Sequence, residues 1–369
     1  MEKIAIIGIG RLGLCLALNL EACGYSVLGI DVLPEYVEAL NQKSFQSNEP
    51  LVSDYLKSST GFRASTQLTD IFEENIRTIF IVVSTPSLPT GEFNHAYIDA
   101  IIQQLGDQGK RDTPHHLIIN STCMPGYCAS IEETVKALNY TLTYNPEFIA
   151  QGSIIHDQQF PDQVLIGGSD LQAIGSLKAI YNKLCKSSPR YCVMSPISAE
   201  ITKLATNCFL TTKIAFANAI GDIAQKAGAE PEKILEAIGA DSRIGNKYLR
   251  YGFGYGGPCF PRDNKAFTYF SGRSGCDMLI SEATDRANEA HHLFLAEEWQ
   301  KKYEQQDEIV FDSVTYKKGT DILEASQQLK LAEALARAGK KIIICERADV
   351  IKQLIDLYGN LFTYQVHEQ

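Results

Sequence analysis

The first thirty-one residues leave few folds open to this chain. Lys3-Ile4-Ala5-Ile6-Ile7 is a short apolar run rich in β-branched residues, Gly8-Ile9-Gly10-Arg11-Leu12-Gly13 follows at once, and a helical pattern continues through Leu20. A strand, a glycine turn and a helix are therefore predicted in immediate succession. Ser26-Val27-Leu28-Gly29-Ile30 reads as a second strand ending at Asp31, eighteen residues past Gly13. The glycine spacing is a weak signal alone. In this context it matches the unit in which a dinucleotide pyrophosphate rests on the helix amides after Gly10 and a carboxylate meets the ribose hydroxyls. Asp31 in that place repels the extra phosphate of NADP, so the expected cofactor is NAD.

Three more apolar runs end in polar residues: Ile79-Phe80-Ile81-Val82-Val83 before Ser84-Thr85-Pro86, Leu117-Ile118-Ile119 before Asn120-Ser121-Thr122, and Leu142-Thr143-Tyr144 before Asn145-Pro146-Glu147. All read as buried parallel strands. Ligands of a doubly wound sheet lie beyond the carboxyl ends of its strands, where Gly10, Asp31, Thr85, Thr122 and Glu147 all fall. Any one of these Thr or Glu residues alone would read as a helix cap. From Ser198 to about Ala227 one long helix is predicted, with Leu204, Cys208, Ile214 and Ala217 marking an apolar stripe. Lys203 and Asn207, four apart, share a face, either solvated or aimed into one site.

In Gly252-Phe253-Gly254-Tyr255-Gly256-Gly257-Pro258-Cys259-Phe260-Pro261-Arg262-Asp263 a thiol stands between small residues and a carboxylate. The four glycines are expected to open the main chain to a ligand. Pro261 favours a first helical turn, which puts Cys259 at a helix start, where a thiolate is favoured, and Asp263 one turn on, able to orient a water or a proton. A glycine-rich surface turn before an inert cysteine is the alternative. Just upstream, Asp241 to Arg250 brings three cations and an aromatic ring, suited to a nucleotide diphosphate and its base or to a solvated basic turn. Residues 276–304 read as helical, 298–307 as a charged linker. From Glu308 a second α/β unit follows, with Ile309-Val310-Phe311, a helix through Ala338 and Ile342-Ile343-Ile344, and room for about two strands and two helices.

The 369 residues suffice for two or three domains, and the net charge of −10 argues against a nucleic-acid partner. No apolar run reaches the length of a membrane span, and Met1-Glu2-Lys3-Ile4 passes into a strand without a signal-peptide profile, so no membrane partner and a cytoplasmic location are expected. Ten cysteines without paired CxxC spacing indicate neither a metal site nor a disulfide framework, and Cys15, Cys23 and Cys208 are expected to fill core space.

Taken in order from Lys3 to about Leu335, these segments resemble the UDP-glucose/GDP-mannose dehydrogenase family, and within it the UDP-glucose 6-dehydrogenase branch. The marks are Gly8, Gly10 and Gly13, Ser84-Thr85-Pro86, Ser121-Thr122 with Pro125-Gly126, Asn145-Pro146-Glu147-Phe148-Ile149-Ala150, Lys203 with Asn207, Arg243-Ile244-Gly245-Asn246, and the cysteine loop through Asp263. The resemblance implies an α/β fold: an N-terminal Rossmann dinucleotide-binding domain (1–196), a long central helix with a helical dimerisation region and the cysteine loop (197–304), and a shortened C-terminal Rossmann-like domain that binds the sugar nucleotide (305–369). It implies NAD-dependent, four-electron oxidation of the C6 alcohol of a nucleotide sugar, UDP-glucose to UDP-glucuronate foremost. GDP-mannose or UDP-N-acetylmannosamine oxidation, a single-step β-hydroxyacid dehydrogenase and a non-catalytic sugar-nucleotide-binding homologue are the alternatives.

Carried onto this sequence, the family's roles make Cys259 the nucleophile, Lys203 and Asn207 the oxyanion holders, Asp263 with Thr122 the groups that position water, and Glu147 a proton-transfer group. NAD contacts are implied at Gly8, Gly10, Arg11, Leu12, Gly13, Asp31, Ser84, Thr85, Pro86, Ser121, Thr122 and Arg262. Substrate contacts are implied at Phe148, Ile149, Ala150, Lys203, Asn207, Asn246 and Gly256, with Tyr248, Leu249 and Arg250 on the uracil and phosphates. Arg243 is implied to reach the neighbouring subunit's sugar nucleotide in a homodimer built on the central helix. Gln151 stands where the family often has an acid, Gln163 where it usually has an arginine, and Asp321 to Ser326 replaces a segment that commonly holds an arginine.

Overall fold

The computed structural model describes residues 2–367; Met1, Glu368 and Gln369, at which the outer domains are expected to begin and end, lie outside the described residues. The chain forms two compact units, Met1–Lys203 and Leu204–Gln369. The division falls inside the helix Pro196–Lys226, and the second unit holds both the helical and the C-terminal segments.

In the first unit β1 (Lys3–Ile7), β2 (Ser26–Ile30), β3 (Phe62–Ser65), β4 (Thr78–Ile81), β5 (His115–Ile119), β6 (Tyr140–Tyr144), β7 (Gln163–Gly167) and β8 (Arg190–Met194) build one sheet in the order β3-β2-β1-β4-β5-β6-β7-β8. All neighbours are parallel except β6 and β7. Alternate residues of the central strands enter opposite cores. Ile4, Ile6, Phe80 and Ile118 face one, while Ala5, Ile7, Ile79, Ile81, Leu117 and Ile119 face the other. Helices cover both faces, which is why these strands read as unbroken apolar runs. The order 3-2-1-4-5-6 reverses between β1 and β4, and that reversal opens a crevice at the strands' carboxyl ends.

In the second unit the helices Pro231–Ala240, Phe260–Arg273 and Leu279–Lys302 accompany the rest of Pro196–Lys226. Along that central helix Leu204, Cys208 and Ala217 are buried as expected, but Ile214 is only half-buried, and Phe209, Phe216 and Ile223 face outward. Two further expectations need correction. Residues 298–302 are the last turn of Leu279–Lys302, not a linker, because Trp299 stacks on Phe311 with ring centroids 5.2 Å apart and joins the C-terminal core. The C-terminal sheet has three strands among the described residues, not about two: β9 (Glu308–Phe311), β10 (Lys341–Glu346) and β11 (Thr363–Val366) lie parallel in the order β11-β10-β9. Only one residue of β11 is even half-buried, so it carries little apolar signal. Among the described residues no helix is long and apolar enough to cross a membrane, and no cluster of His, Cys, Asp and Glu could hold a metal.

Candidate active site

In the first unit the three glycines of the opening turn serve different ends. Gly8 has φ +90°, and a Cβ there would lie 2.8 Å from the Val82 carbonyl oxygen; one on Gly13 would lie 2.0 Å from the Gly8 carbonyl oxygen. Both are required for strand and helix to pack. Gly10 begins the helix Arg11–Ala22 with no side-chain cap, and no described atom lies within 4 Å of where its Cβ would stand. Open space beside an uncapped helix start fits a pyrophosphate.

The pair Gly10→Ala and Gly13→Ala separates these roles. Gly13→Ala is expected to cost about 2 kcal/mol of stability by overpacking. Gly10→Ala should cost less than about 1 kcal/mol, the scale of a lost cap. Both should weaken NAD binding about tenfold or more, since each disturbs the helix amides that would meet the pyrophosphate. Urea unfolding and NAD titration check the two parts.

Asp31 follows β2, and its Oδ1 accepts the Leu33 amide at 3.2 Å. Arg11 is exposed and donates to Gln151 Oε1 at 3.4 Å, so the residue standing in place of an acid still partners a cation; Leu12 packs against the core. Ser84 and Pro86 are exposed. Thr85 Oγ1 donates to the Thr122 carbonyl at 2.8 Å and Ser121 Oγ to the Val83 carbonyl at 2.6 Å, so these hydroxyls knit together the loops after β4 and β5.

Beyond β6, Lys203 is buried, donates from Nζ to the Glu147 carbonyl at 2.8 Å and lies 4.8 Å from the centroid of the Phe148 ring. Phe148 and Ile149 lean against the two cores, and the exposed Ala150 donates its amide to Asp157 at 2.9 Å. The Tyr181 hydroxyl lies 2.7 Å from Asn145 Oδ1 and 3.4 Å from Glu147 Oε1. Burial pushes the Glu147 carboxyl up to about 7, against the pull of hydrogen bonds from Asn120 and Tyr181 and of the Lys203 charge. A carboxyl balanced near neutrality can both take and return a proton.

Sequence reasoning missed Glu200. Buried one turn before Lys203, it accepts the amides of Gly126 at 2.6 Å and Cys128 at 2.8 Å, and so anchors the loop that carries Thr122. The only signal was a carboxylate on the apolar side of a helix.

In the second unit Cys259 is exposed at the start of the helix Phe260–Arg273, and the Asp263 amide closes the first turn onto the Cys259 carbonyl at 2.8 Å. Asp263 and Asn207 are both buried, with Asn207 Nδ2 donating to Asp263 Oδ2 at 2.6 Å. Asn207 stands one turn after Lys203 on the same face of the central helix. Arg262 is half-buried in the first turn after Cys259.

The loop glycines answer close packing by the protein's own neighbours. A Cβ on Gly254 would lie 2.2 Å from Asn288 Oδ1, one on Gly256 2.1 Å from the Ala325 carbonyl oxygen, and one on Gly257 2.5 Å from the Tyr316 ring. Only Gly252 opens onto free space among the described residues. The glycines admit the protein's own neighbours to the main chain. The Leu249 side chain is buried with Ala217 and Leu235, which leaves only its main chain to meet a ligand. Tyr248 beside it is exposed with φ +66°, an unusual backbone for a ring-bearing residue and one the sequence did not disclose. Asn246 and Arg250 are exposed, and the exposed Arg243 grips Asp241, with Nη2 2.7 Å from Oδ2.

Comparison with known proteins identifies the family. Residues 2–185 match the NAD binding domain of the UDP-glucose/GDP-mannose dehydrogenase family, and residues 197–290 match that family's central domain. A UDP-glucose 6-dehydrogenase of Rickettsia felis is 28% identical over 341 residues, covering 90% of this chain and 75% of its own. One from Pseudomonas aeruginosa is 28% identical over 354 residues, covering 92% and 78%. The solved structure of a UDP-glucose dehydrogenase from Pyrobaculum islandicum superposes with a TM-score of 0.88 at 28% identity, covering 99% of this chain and 86% of that one. With its NAD-binding and central domains both matched and its α/β architecture shared, the chain belongs to the UDP-glucose/GDP-mannose dehydrogenase family.

Proposed function

We propose that this protein oxidises UDP-glucose to UDP-glucuronate with two NAD, through a thioester on Cys259. The observation that carries the reading is the exposed Cys259 at a helix start, with Asp263 of the same first turn buried against Asn207 at 2.6 Å. The names of the relatives support the choice of sugar.

Gly10 and Asp31 would hold NAD, which would supply the hydride acceptor at each oxidation. In the first step C6 loses a hydride and its hydroxyl proton, and Glu147, poised near 7, takes that proton. The Cys259 thiolate then adds to the aldehyde carbon; a C–S bond forms and the carbonyl oxygen becomes an oxyanion. Lys203 has one N–H committed to the Glu147 carbonyl and further N–H groups for that oxyanion. Asp263 accepts one N–H of Asn207, which fixes the plane of that amide. Departure of the second hydride leaves a thioester; water adds to its carbonyl carbon and gives up both protons to solvent, the C–S bond breaks, and the carboxylate leaves with the thiolate restored.

Glu147 gives a pH test. Ionised Glu147 is the working base, so the rate should rise with pH along a limb centred at about 7, and Glu147→Gln should flatten that limb as well as slow the enzyme about 10²-fold or more. Stability moves oppositely. The folded carboxyl holds its proton more tightly than the unfolded one at 4.5, so its contribution is present below 4.5 and lost as pH rises through about 7. The loss, on the order of 1–2 kcal/mol after screening, should vanish in Glu147→Gln when urea unfolding is compared at pH 5 and 8.

A homodimer on the central helix is part of the same proposal. Phe209, Phe216 and Ile223 recur every seven residues, or two turns, as an exposed apolar stripe, 66%, 49% and 65% accessible. A cytoplasmic setting is supported by cysteines that are all free thiols. The test of the substrate is a panel of UDP-glucose, GDP-mannose and UDP-N-acetylmannosamine with NAD. UDP-glucose should lead by about 10²-fold or more in kcat/KM; a lead for either other sugar overturns the sugar assignment.

A further inference from the structure

Residues 251–255, which lead into the cysteine turn, belong to no helix or strand. Their main-chain polar groups must therefore find partners elsewhere. Two helices supply them through side chains. From the central helix the buried Asn218 accepts the Gly252 amide on Oδ1 at 3.1 Å and donates from Nδ2 to the Phe253 carbonyl at 3.3 Å. From Leu279–Lys302, Asn288 accepts the Tyr255 amide on Oδ1 at 2.9 Å and donates from Nδ2 to the Tyr255 carbonyl at 3.1 Å.

Each asparagine thus takes one N–H and one C=O of the loop, as a neighbouring strand would. A primary amide offers acceptor and donor from one planar group, a combination that aspartate and alanine both lack. Buried His291 adds a third hold, its Nε2 2.6 Å from the Gly252 carbonyl oxygen and its Nδ1 2.9 Å from both Asp222 oxygens. Gly254 follows from the same device, since any Cβ there would collide with Asn288 Oδ1.

The far side of the cysteine is tied to the same frame. The Tyr255 hydroxyl hydrogen-bonds Asp285, and Asn264 Nδ2 donates to that hydroxyl at 3.2 Å and to Asp285 at 2.9 Å. Asn264, fully buried, accepts from Thr211 at 3.0 Å and adjoins Asp263 on the helix that Cys259 begins. Cys259 is therefore fixed from before and behind by polar side chains of two helices. Attack on a carbonyl carbon tolerates little displacement, about 1 Å costing some 10²-fold.

We infer that Asn218 and Asn288 are positioning residues for Cys259, acting through the main chain of Gly252 to Tyr255; the catalytic consequence rests on the function proposed above. The test compares Asn288→Ala, Asn288→Asp and Asn218→Ala with Leu354→Ala, a cavity in the C-terminal core that Phe253 packs against, which loosens packing and leaves both asparagine side chains in place. Iodoacetamide labelling of the Cys259 peptide, followed by mass spectrometry, reads the loop without reference to any substrate. The three asparagine variants should label at least about threefold more slowly than wild type, because a loosened loop no longer keeps the thiol at a helix start. Leu354→Ala should label at the wild-type rate. With UDP-glucose and NAD, the asparagine variants should lose about tenfold or more in kcat while KM stays within about twofold. Asp at 288 should be no better than Ala, since it sets a carboxylate against the Tyr255 carbonyl. Labelling as fast as in Leu354→Ala overturns the inference, as does an activity loss no larger than that variant's at equal thermal stability. Were wild type inactive on nucleotide sugars, the proposed function would fall, and the labelling rates would still decide the clamp.

Discussion

Cys259→Ser is expected to end acid formation, with kcat falling about 10³-fold or more, while the melting temperature stays close to that of wild type. The size of the loss follows from the chemistry. A serine hydroxyl is a far weaker nucleophile than a thiolate at neutral pH, and no other group proposed for the site could carry the acyl intermediate. Stability should hold because the side chain is exposed at a helix start and is replaced by a good capping residue. NADH formation, product chromatography and thermal unfolding check the three parts. A variant that kept wild-type turnover would show a single-step alcohol dehydrogenase that has no use for the thiol.

Lys203→Met is the second large effect, a loss of about 10²–10³-fold in kcat/KM, the scale of removing one preorganised oxyanion donor. Methionine keeps most of the buried stem. It loses the bond to the Glu147 carbonyl and the contact over Phe148, both made in the first unit. The fold should survive, because the change removes a buried charge and leaves a backbone carbonyl that other donors can approach. If Lys203 were a packing residue only, Met would be nearly neutral in kcat/KM and any deficit would appear in thermal unfolding.

Much of the first unit was legible because its glycines answer hard steric demands. Gly8 and Gly13 cannot carry a side chain, and buried parallel strands show as apolar runs. Strands β3, β7 and β8 escaped notice: β3 is four residues long, and none of the residues of β8 is fully buried. Around the thiol the sequence named candidate residues but not which neighbours they face. The glycines of the cysteine loop suggested room for a ligand, yet Asn288, Ala325 and Tyr316 take that room, and they stand more than thirty residues away. Asn218 and Asn288 look like ordinary helix-surface amides in one dimension. Their meaning depends on a loop without a strand partner, which only the fold reveals. The inward turn of Leu249 was not legible, because an apolar residue inside a basic segment gives no hint of which way it points.

The central claim is a four-electron oxidation through Cys259, and the ratio of NADH formed to UDP-glucose consumed tests it most directly. Purified protein with limiting UDP-glucose and excess NAD should form two NADH per sugar and release UDP-glucuronate alone. One NADH per sugar, with the C6 aldehyde as product, would contradict the thioester and with it the role given to Cys259.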